Sequence, residues 1–427
     1  MNLELYQRDM EGCSRCASCK WIPFNQIKGE RFAKNCPAIS KYNFHAYSGS
    51  GKMMMGLSML HGRSELTEKV AEIIYNCQMC GACEASCKVY RDDIDLNDVM
   101  LELRSNCVEQ GEIVFEHMEM IESLKQEDNP LGEPKKERGL WAEGLSLKDA
   151  NKEKVEVLFH AGCKYSFDPT LRDIVRGQAQ LMISSGVDVG IAGKAEACCG
   201  ARAYETGFQG ESANFADNMM SIVNNCGAKI LVTPCADCYS AFRQLYLKMD
   251  KKLPCRILHS SQYFEMLIHE KRLTLNTSEE LTVTYHDPCH LGRRSEPFLE
   301  KWKGDDKLFR PSRLKRSGRF GIYDSPRRLI DALPGVRLVE MERIKTHSWC
   351  CGSGAGVLEA YPDFASWTAR ERISEALSTG ADALVTSCPR CINAFQTAAE
   401  EMQADIKILE LTELVLKAAE LSVPANA

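Results

Sequence analysis

At 427 residues, 44% hydrophobic and 26% charged, the chain has the composition of a soluble globular protein with room for two to four domains. A formal net charge of −6 weighs against a nucleic-acid partner, which usually demands a basic face. The N-terminus MNLELYQRDMEG has no basic and apolar leader pattern, and no apolar run nears the roughly 18 residues needed to cross a bilayer. The expectation is therefore a cytoplasmic protein with no direct membrane insertion, associated with a membrane only through partners.

Twenty-one cysteines dominate the composition. A disulfide framework belongs to small secreted domains, so metal or iron–sulfur binding is the better account. Eighteen fall into dense clusters, leaving Cys107, Cys226 and Cys255 as buried apolar residues.

Residues 1–124 carry two cysteine clusters among short helical stretches. SELTEKVAEIIYNC has Ser64 as a possible N-cap and spaces Leu66, Val70, Ile73 and Ile74 for a helix. DDIDLNDVMLELRSNC, acidic at its start as the helix dipole favours, predicts a second. Residues 125–154 lack cysteine and apolar periodicity and read as a linker.

From residue 155 strands and helices alternate, and the pattern repeats. The first pass, 155–280, begins VEVLFHAG before Cys163, continues through the helix PTLRDIVRGQAQLMISSG and the strand VDVGIA to CCG, and ends with KILVTPC and the pair Cys235 and Cys238. The second, 281–427, runs LTVTYHDPC, SPRRLIDALPG, VRLVEM, CCG, and DALVTSC with Cys388 and Cys391. Cys235 to Cys388 and Cys238 to Cys391 are each 153 positions apart, but Cys163 to Cys289 is 126, so an insertion lies at about 293–320. Such matching marks internal duplication. Alternating strands and helices predict parallel sheets with helices on their faces, with both cysteine groups at strand carboxyl ends facing a common crevice.

CQMCGACEASC, residues 77–87, has the C-x2-C-x2-C-x3-C spacing in which three thiolates grip one cubane cluster and the last cysteine ligates another. An earlier group, Cys13, Cys16 and Cys19, is followed after 16 residues by Cys36 and Pro37. By that exchange Cys13, Cys16, Cys19 and Cys87 form one cubane site, and Cys77, Cys80, Cys83 and Cys36 the other. A four-cysteine zinc site is the competing reading, though zinc usually draws on two separate pairs.

Each repeat then supplies five thiols: Cys163, Cys198, Cys199, Cys235 and Cys238, and again Cys289, Cys350, Cys351, Cys388 and Cys391. A tetrahedral zinc or a cubane takes four. Adjacent cysteines with divergent side chains suit an extended cluster, and the following glycine leaves room for backbone near inorganic sulfur. A four-thiolate site with a spare cysteine is the alternative.

The order C-x34-CC-x35-CxxC, then C-x60-CC-x36-CxxC, resembles the cysteine-rich CCG domains of heterodisulfide reductase, and the N-terminal motifs resemble its ferredoxin-type subunit. Together the matches span most of residues 13–391. The resemblance implies duplicated α/β CCG domains related by a pseudo-two-fold, preceded by a mainly α-helical ferredoxin-like domain. It implies two cubane [4Fe–4S] clusters and two non-cubane [4Fe–4S] clusters, the latter facing one another where a disulfide is cleaved with one electron from each. The 16-residue gap and the insertion depart from the general pattern. With KWIPF, CPAI, YSGSGK and GIYDSPR, they are similar to the heterodisulfide-reductase-like subunit of tungsten (class II) benzoyl-CoA reductase complexes and related bifurcating or membrane-linked assemblies. The expected function is that of an iron–sulfur oxidoreductase subunit passing electrons to thiol/disulfide chemistry, with a small disulfide as a candidate substrate. Its partners would be flavin-containing, bifurcating or membrane-anchored redox subunits. The alternative is a pure relay without a substrate of its own.

His286 and His290 flank Cys289 and could supply protons to a reduced disulfide, although helix capping competes with that role. His160 and Lys164 hold the matching places beside Cys163. Residues 293–319 carry ten Lys or Arg against four Asp or Glu, a stretch that could dock an acidic partner or attract a CoA phosphate. GSGK at 49–52 lacks the earlier glycine and the following Ser or Thr of a phosphate loop.

Overall fold

A computed structural model describes residues 3–87, 94–276, 280–296 and 318–420. The basic stretch lies largely outside these residues.

The repeats form two parallel sheets. In the first, β1 (Lys148–Asp149), β2 (Val157–Phe159), β3 (Val189–Ile191), β4 (Ile230–Thr233) and β5 (Arg256–His259) stand in the order β1-β3-β2-β4-β5. In the second, β6 (Leu281–His286), β7 (Val336–Leu338), β8 (Ala383–Thr386) and β9 (Lys407–Glu410) stand as β7-β6-β8-β9. Without β1 the orders are the same, as duplication requires. Strands β2 and β8 are buried along their whole length because helices cover both faces.

The halves pack reciprocally. The helix Arg172–Ser184, which follows β2, lies on Leu411–Ala418 of the second repeat. Its counterpart Asp324–Asp331, which follows β6, lies on Ser260–His269 of the first. One hydrophobic core accordingly joins Val157, Phe159 and Val232 of one sheet to Val283, Tyr285 and Val385 of the other.

The segment 125–154 differs from the linker reading. It supplies edge strand β1, paired with β3, and it buries Trp141 against Phe159. Its 3-10 turns and single buried aromatics carry no periodicity, which is why the sequence pattern conceals its packing.

The N-terminal part is helical, with one isolated bridge between Trp21 and Lys34. The helix Glu68–Tyr75 is capped by Thr67, which accepts from Val70 N at 3.3 Å, and not by Ser64. The second expected helix runs Leu96–Gln110. This part shares a core with the first repeat, where Leu103 and Cys107 pack with Ala203, Met219 and Cys226. Cys107 and Cys226 are fully buried and Cys255 is half-buried, in keeping with apolar roles. Among the described residues no helix is long and apolar enough to cross a membrane.

Candidate iron–sulfur sites

Every cysteine group of the repeats follows a strand carboxyl end. Cys163 and Cys289 follow β2 and β6, the adjacent pairs follow β3 and β7, and Cys235 and Cys388 follow β4 and β8. Within each repeat the five thiols touch in one unbroken series. The first series is Cys163, Cys198, Cys199, Cys238, Cys235, and the second is Cys289, Cys350, Cys351, Cys391, Cys388. The order of positions is identical. Cys199, hydrogen-bonded by Cys198 and Cys238, is pulled down to about 6, and its counterpart Cys351 is lowered by Cys350 and Cys391.

The glycine after each pair has a role the sequence reading did not assign. Gly200 and Gly352 adopt φ of +77° and +100°. This turn lets Gly200 N donate to Cys198 Sγ at 3.4 Å and Gly352 N to Cys350 Sγ at 3.3 Å. A Cβ at Gly352 would lie 2.3 Å from the Ala365 carbonyl oxygen. Close backbone packing and an aimed N–H both call for glycine here.

The ferredoxin-type loops share a backbone course. Arg15 and Ala17 in one loop and Met79 and Gly81 in the other have left-handed φ, which curls three cysteines toward one side. Cys87 neighbours Cys19, Cys13 and Cys16, whereas Cys83 neighbours Cys36 and Cys77 first. A small cavity is lined by Cys36, Cys77, Cys80 and Cys83 together. Four thiols around an enclosed, largely apolar space suit a [4Fe–4S] group. Among the described residues no three His, Cys, Asp or Glu side chains are arranged around a single metal ion.

The four thiol groups form a line. Cys19 lies near Cys83. Cys80 contacts Cys350, and both pack with Cys289. Cys388 in turn neighbours Cys235. The thiols of the second repeat therefore adjoin the ferredoxin-type cysteines and those of the first repeat end the line, while both repeats pack on the ferredoxin-type domain.

Buried charges fill the junction between the repeats. His290 Nε2 is 2.6 Å from Glu205 Oε1, its Nδ1 is 3.3 Å from Asp237 Oδ1, and Cys289 Sγ is 3.4 Å from Nδ1. Burial opposes protonation of this ring, but Glu205, Asp237 and Cys289 overcome it and hold the imidazole well above its usual range. His286 differs. Burial and then Arg372, whose Nε donates to His286 Nδ1 at 3.1 Å, hold that ring well below its usual range. The charged form is thus disfavoured at His286 and favoured at His290. In the first repeat His160 Nδ1 lies 3.1 Å from Glu196, and Lys164 lies 3.4 Å from Asp168.

Several participants escaped the sequence reading. Arg138, inside the supposed linker, donates to Cys163 Sγ at 3.5 Å and to the Asp128 carbonyl at 2.7 Å. Arg293 Nε donates to the Cys80 carbonyl at 2.8 Å. Asp237 accepts from Arg202 at 2.7 Å and lies 3.4 Å from Arg390. Asp237 and Arg390 carried a legible signal, since they are the third residues of the two CxxC motifs.

The cysteine-rich (CCG) domain model matches residues 157–243 and 308–396, and a 4Fe–4S dicluster domain model matches residues 9–90. The chain is 27% identical over 419 residues to the D-type component of the dihydromethanophenazine:CoB–CoM heterodisulfide reductase of Methanosarcina mazei, covering 96% of this chain and 94% of that one. It is 25% identical to the probable iron–sulfur-binding oxidoreductase FadF of Bacillus subtilis, over 97% of this chain and 56% of that protein. It is 26% identical to the EtfAB:quinone oxidoreductase of Syntrophomonas wolfei, over 82% of this chain and 47% of that protein. A hypothetical protein from Helicobacter pylori superimposes with a TM-score of 0.50 at 10% identity, covering 88% of this chain and 68% of that one, a likeness of fold alone.

Proposed function

From the premise that the chain is an iron–sulfur oxidoreductase of the heterodisulfide reductase D type, a 4Fe–4S dicluster domain followed by two CCG domains, we propose that it carries electrons to a thiol/disulfide reaction at its paired five-thiol sites. Cys13, Cys16, Cys19 and Cys87 would hold one cubane cluster, and Cys36, Cys77, Cys80 and Cys83 the other. The two five-thiol sets would each hold a non-cubane cluster. When bound, these groups supply one-electron redox capacity, which cysteine and histidine side chains lack.

The observation that carries this reading is the unbroken line of thiol groups, joined at Cys19 and Cys83, Cys80 and Cys350, and Cys388 and Cys235. Cleaving a disulfide to two thiols consumes two electrons and two protons. His290, clamped by Glu205 and Asp237 beside Cys289, keeps a proton available at the second set. Arg138 and Arg293, themselves buried, offset negative charge at Cys163 and Cys80.

The partners would be other redox proteins of a complex, flavin-containing, bifurcating or membrane-anchored. Burial of nine of the ten repeat thiols, Cys163 being the half-buried one, favours a second reading, a relay that hands electrons to a catalytic partner such as a benzoyl-CoA reductase. Anaerobically purified protein with full iron, about sixteen per chain for four four-iron clusters, is assayed with reduced viologen and a small disulfide. Turnover supports the catalytic reading, and inactivity at full loading assigns the relay. A colourless zinc-loaded protein overturns both.

A further inference from the structure

GSGK opens the helix Gly49–Leu60, which Ser48 caps by accepting from Gly51 N at 3.1 Å. The two glycines bring this helix start against its neighbours. A Cβ at Gly51 would lie 2.1 Å from the His45 carbonyl oxygen, and one at Gly49 would lie 3.1 Å from Cys83 Cβ. The helix start therefore forms one wall of the cavity lined by Cys36, Cys77, Cys80 and Cys83, and Lys52 lines that same cavity.

Lys52 is 2% exposed. Its Nζ donates to the Asn76 carbonyl at 3.2 Å, and no carboxylate lies within ion-pair distance of it among the described residues. Burying an ammonium without a negative partner costs several kcal/mol. One carbonyl dipole does not offset that, so the counter-charge is to be sought on the cavity side. The negative groups available there are thiolates, and the charge of Lys52 acts on Cys36. The described surroundings of the outer group differ. Arg15 and Cys16 are exposed beside Cys13, where water screens charge.

We infer that Lys52 is the built-in counter-ion of the redox group held by Cys36, Cys77, Cys80 and Cys83, and that it makes this inner centre the stronger electron acceptor of the two ferredoxin-type centres. The inference rests on the cubane assignment made above. One-electron reduction adds one negative charge to the centre, and a fixed ammonium at the wall stabilises that added charge without any proton transfer. Electrons are thereby drawn inward, toward Cys80 and the adjoining Cys350.

The test is an EPR-monitored redox titration of the anaerobic holoprotein, comparing wild type with Lys52→Met and Lys52→Arg, with iron content measured alongside. Lys52→Met is expected to make one cubane signal at least tenfold harder to reduce, a shift of about 59 mV to the negative for a one-electron couple. The other midpoints stay in place, and Lys52→Arg keeps the wild-type value. Loss of about four irons from Lys52→Met with retention in Lys52→Arg is the extreme form of the same result. An unmoved midpoint, or equal cluster loss from both variants, overturns the inference. Cys36→Ser separates this from failure of the assignment: if it leaves both cubane signals intact, the assignment itself is wrong.

Discussion

Arg390 Nε lies 3.4 Å from Asp237 Oδ2, and the two residues occupy the same place in the two repeats, each third in its CxxC motif. Duplication placed one position on both sides of the pseudo-two-fold, and opposite charges let the copies meet there. Asp237 also binds Arg202 and His290, so it holds together three cations beside the thiols. Removing one partner of a buried pair strands the other charge and costs about 3–5 kcal/mol. Asp237→Asn and Arg390→Gln are each expected to destabilise the holoprotein by about that much in anaerobic denaturant titration. The double variant should fall short of their sum, and strict additivity would show that the pair is not coupled.

The adjacent cysteines give a spectroscopic prediction. Cys198→Ser or Cys199→Ser is expected to abolish one five-thiol signal and leave the ferredoxin-type signals intact, with Cys350→Ser or Cys351→Ser removing the other. Unchanged spectra in any of these variants refute the five-thiol assignment. Gly352→Ala should cost more than about 1 kcal/mol, since φ of +100° and an Ala365 oxygen 2.3 Å from the new Cβ both oppose it.

The thiol groups were legible in the sequence because their spacing is local, and the duplication because offsets survive folding. The strand ends followed from β/α alternation. What stayed hidden is long-range. Arg138 comes from a segment with no periodicity, and nothing near it in sequence points to Cys163. The contrast between His286 and His290 depends on Arg372 and Glu205, residues 86 and 85 positions away. Two histidines flanking one cysteine look alike until those partners are in place.

Arg104 shows how three parts of the fold are tied at one point. Its Nη1 donates to the Glu205 and Ala355 carbonyls at 2.8 and 2.7 Å, and its Nη2 to Tyr75 and Cys77 at 3.1 and 2.7 Å. These carbonyls belong to the first repeat, the second repeat and the ferredoxin-type domain. Arg104→Met keeps much of the packing but takes the donor from the Glu205, Ala355 and Cys77 carbonyls, each worth about 1–3 kcal/mol, while the Tyr75 carbonyl keeps Cys77 N. The expected result is near-wild-type iron with slower reduction of the five-thiol signals after rapid mixing with a donor. Unchanged reduction kinetics would show that the repeats hold their place without it.

Glu410 and His259 end the last strands, β9 and β5, of the two sheets and cap the helices that follow. Glu410 accepts from Thr412 N at 2.6 Å, and burial raises its carboxyl from the ordinary 4.5 to about 8. Burial likewise lowers His259 from 6.5 to about 4, so both caps are neutral near pH 7. Their stability terms have opposite signs. Folding takes up a proton at Glu410 between pH 4.5 and 8, so its term is complete below 4.5 and falls as pH rises through 8. His259 contributes fully above 6.5 and loses that contribution as pH drops through 4. The span at Glu410 corresponds to on the order of 5 kcal/mol. Glu410→Gln keeps an acceptor for Thr412 N and cannot ionise. It should therefore be more stable than wild type at pH 8.5, with the advantage shrinking toward pH 5. Chemical denaturation of the two proteins across that range measures the difference, and parallel curves would place the Glu410 carboxyl in its ordinary range.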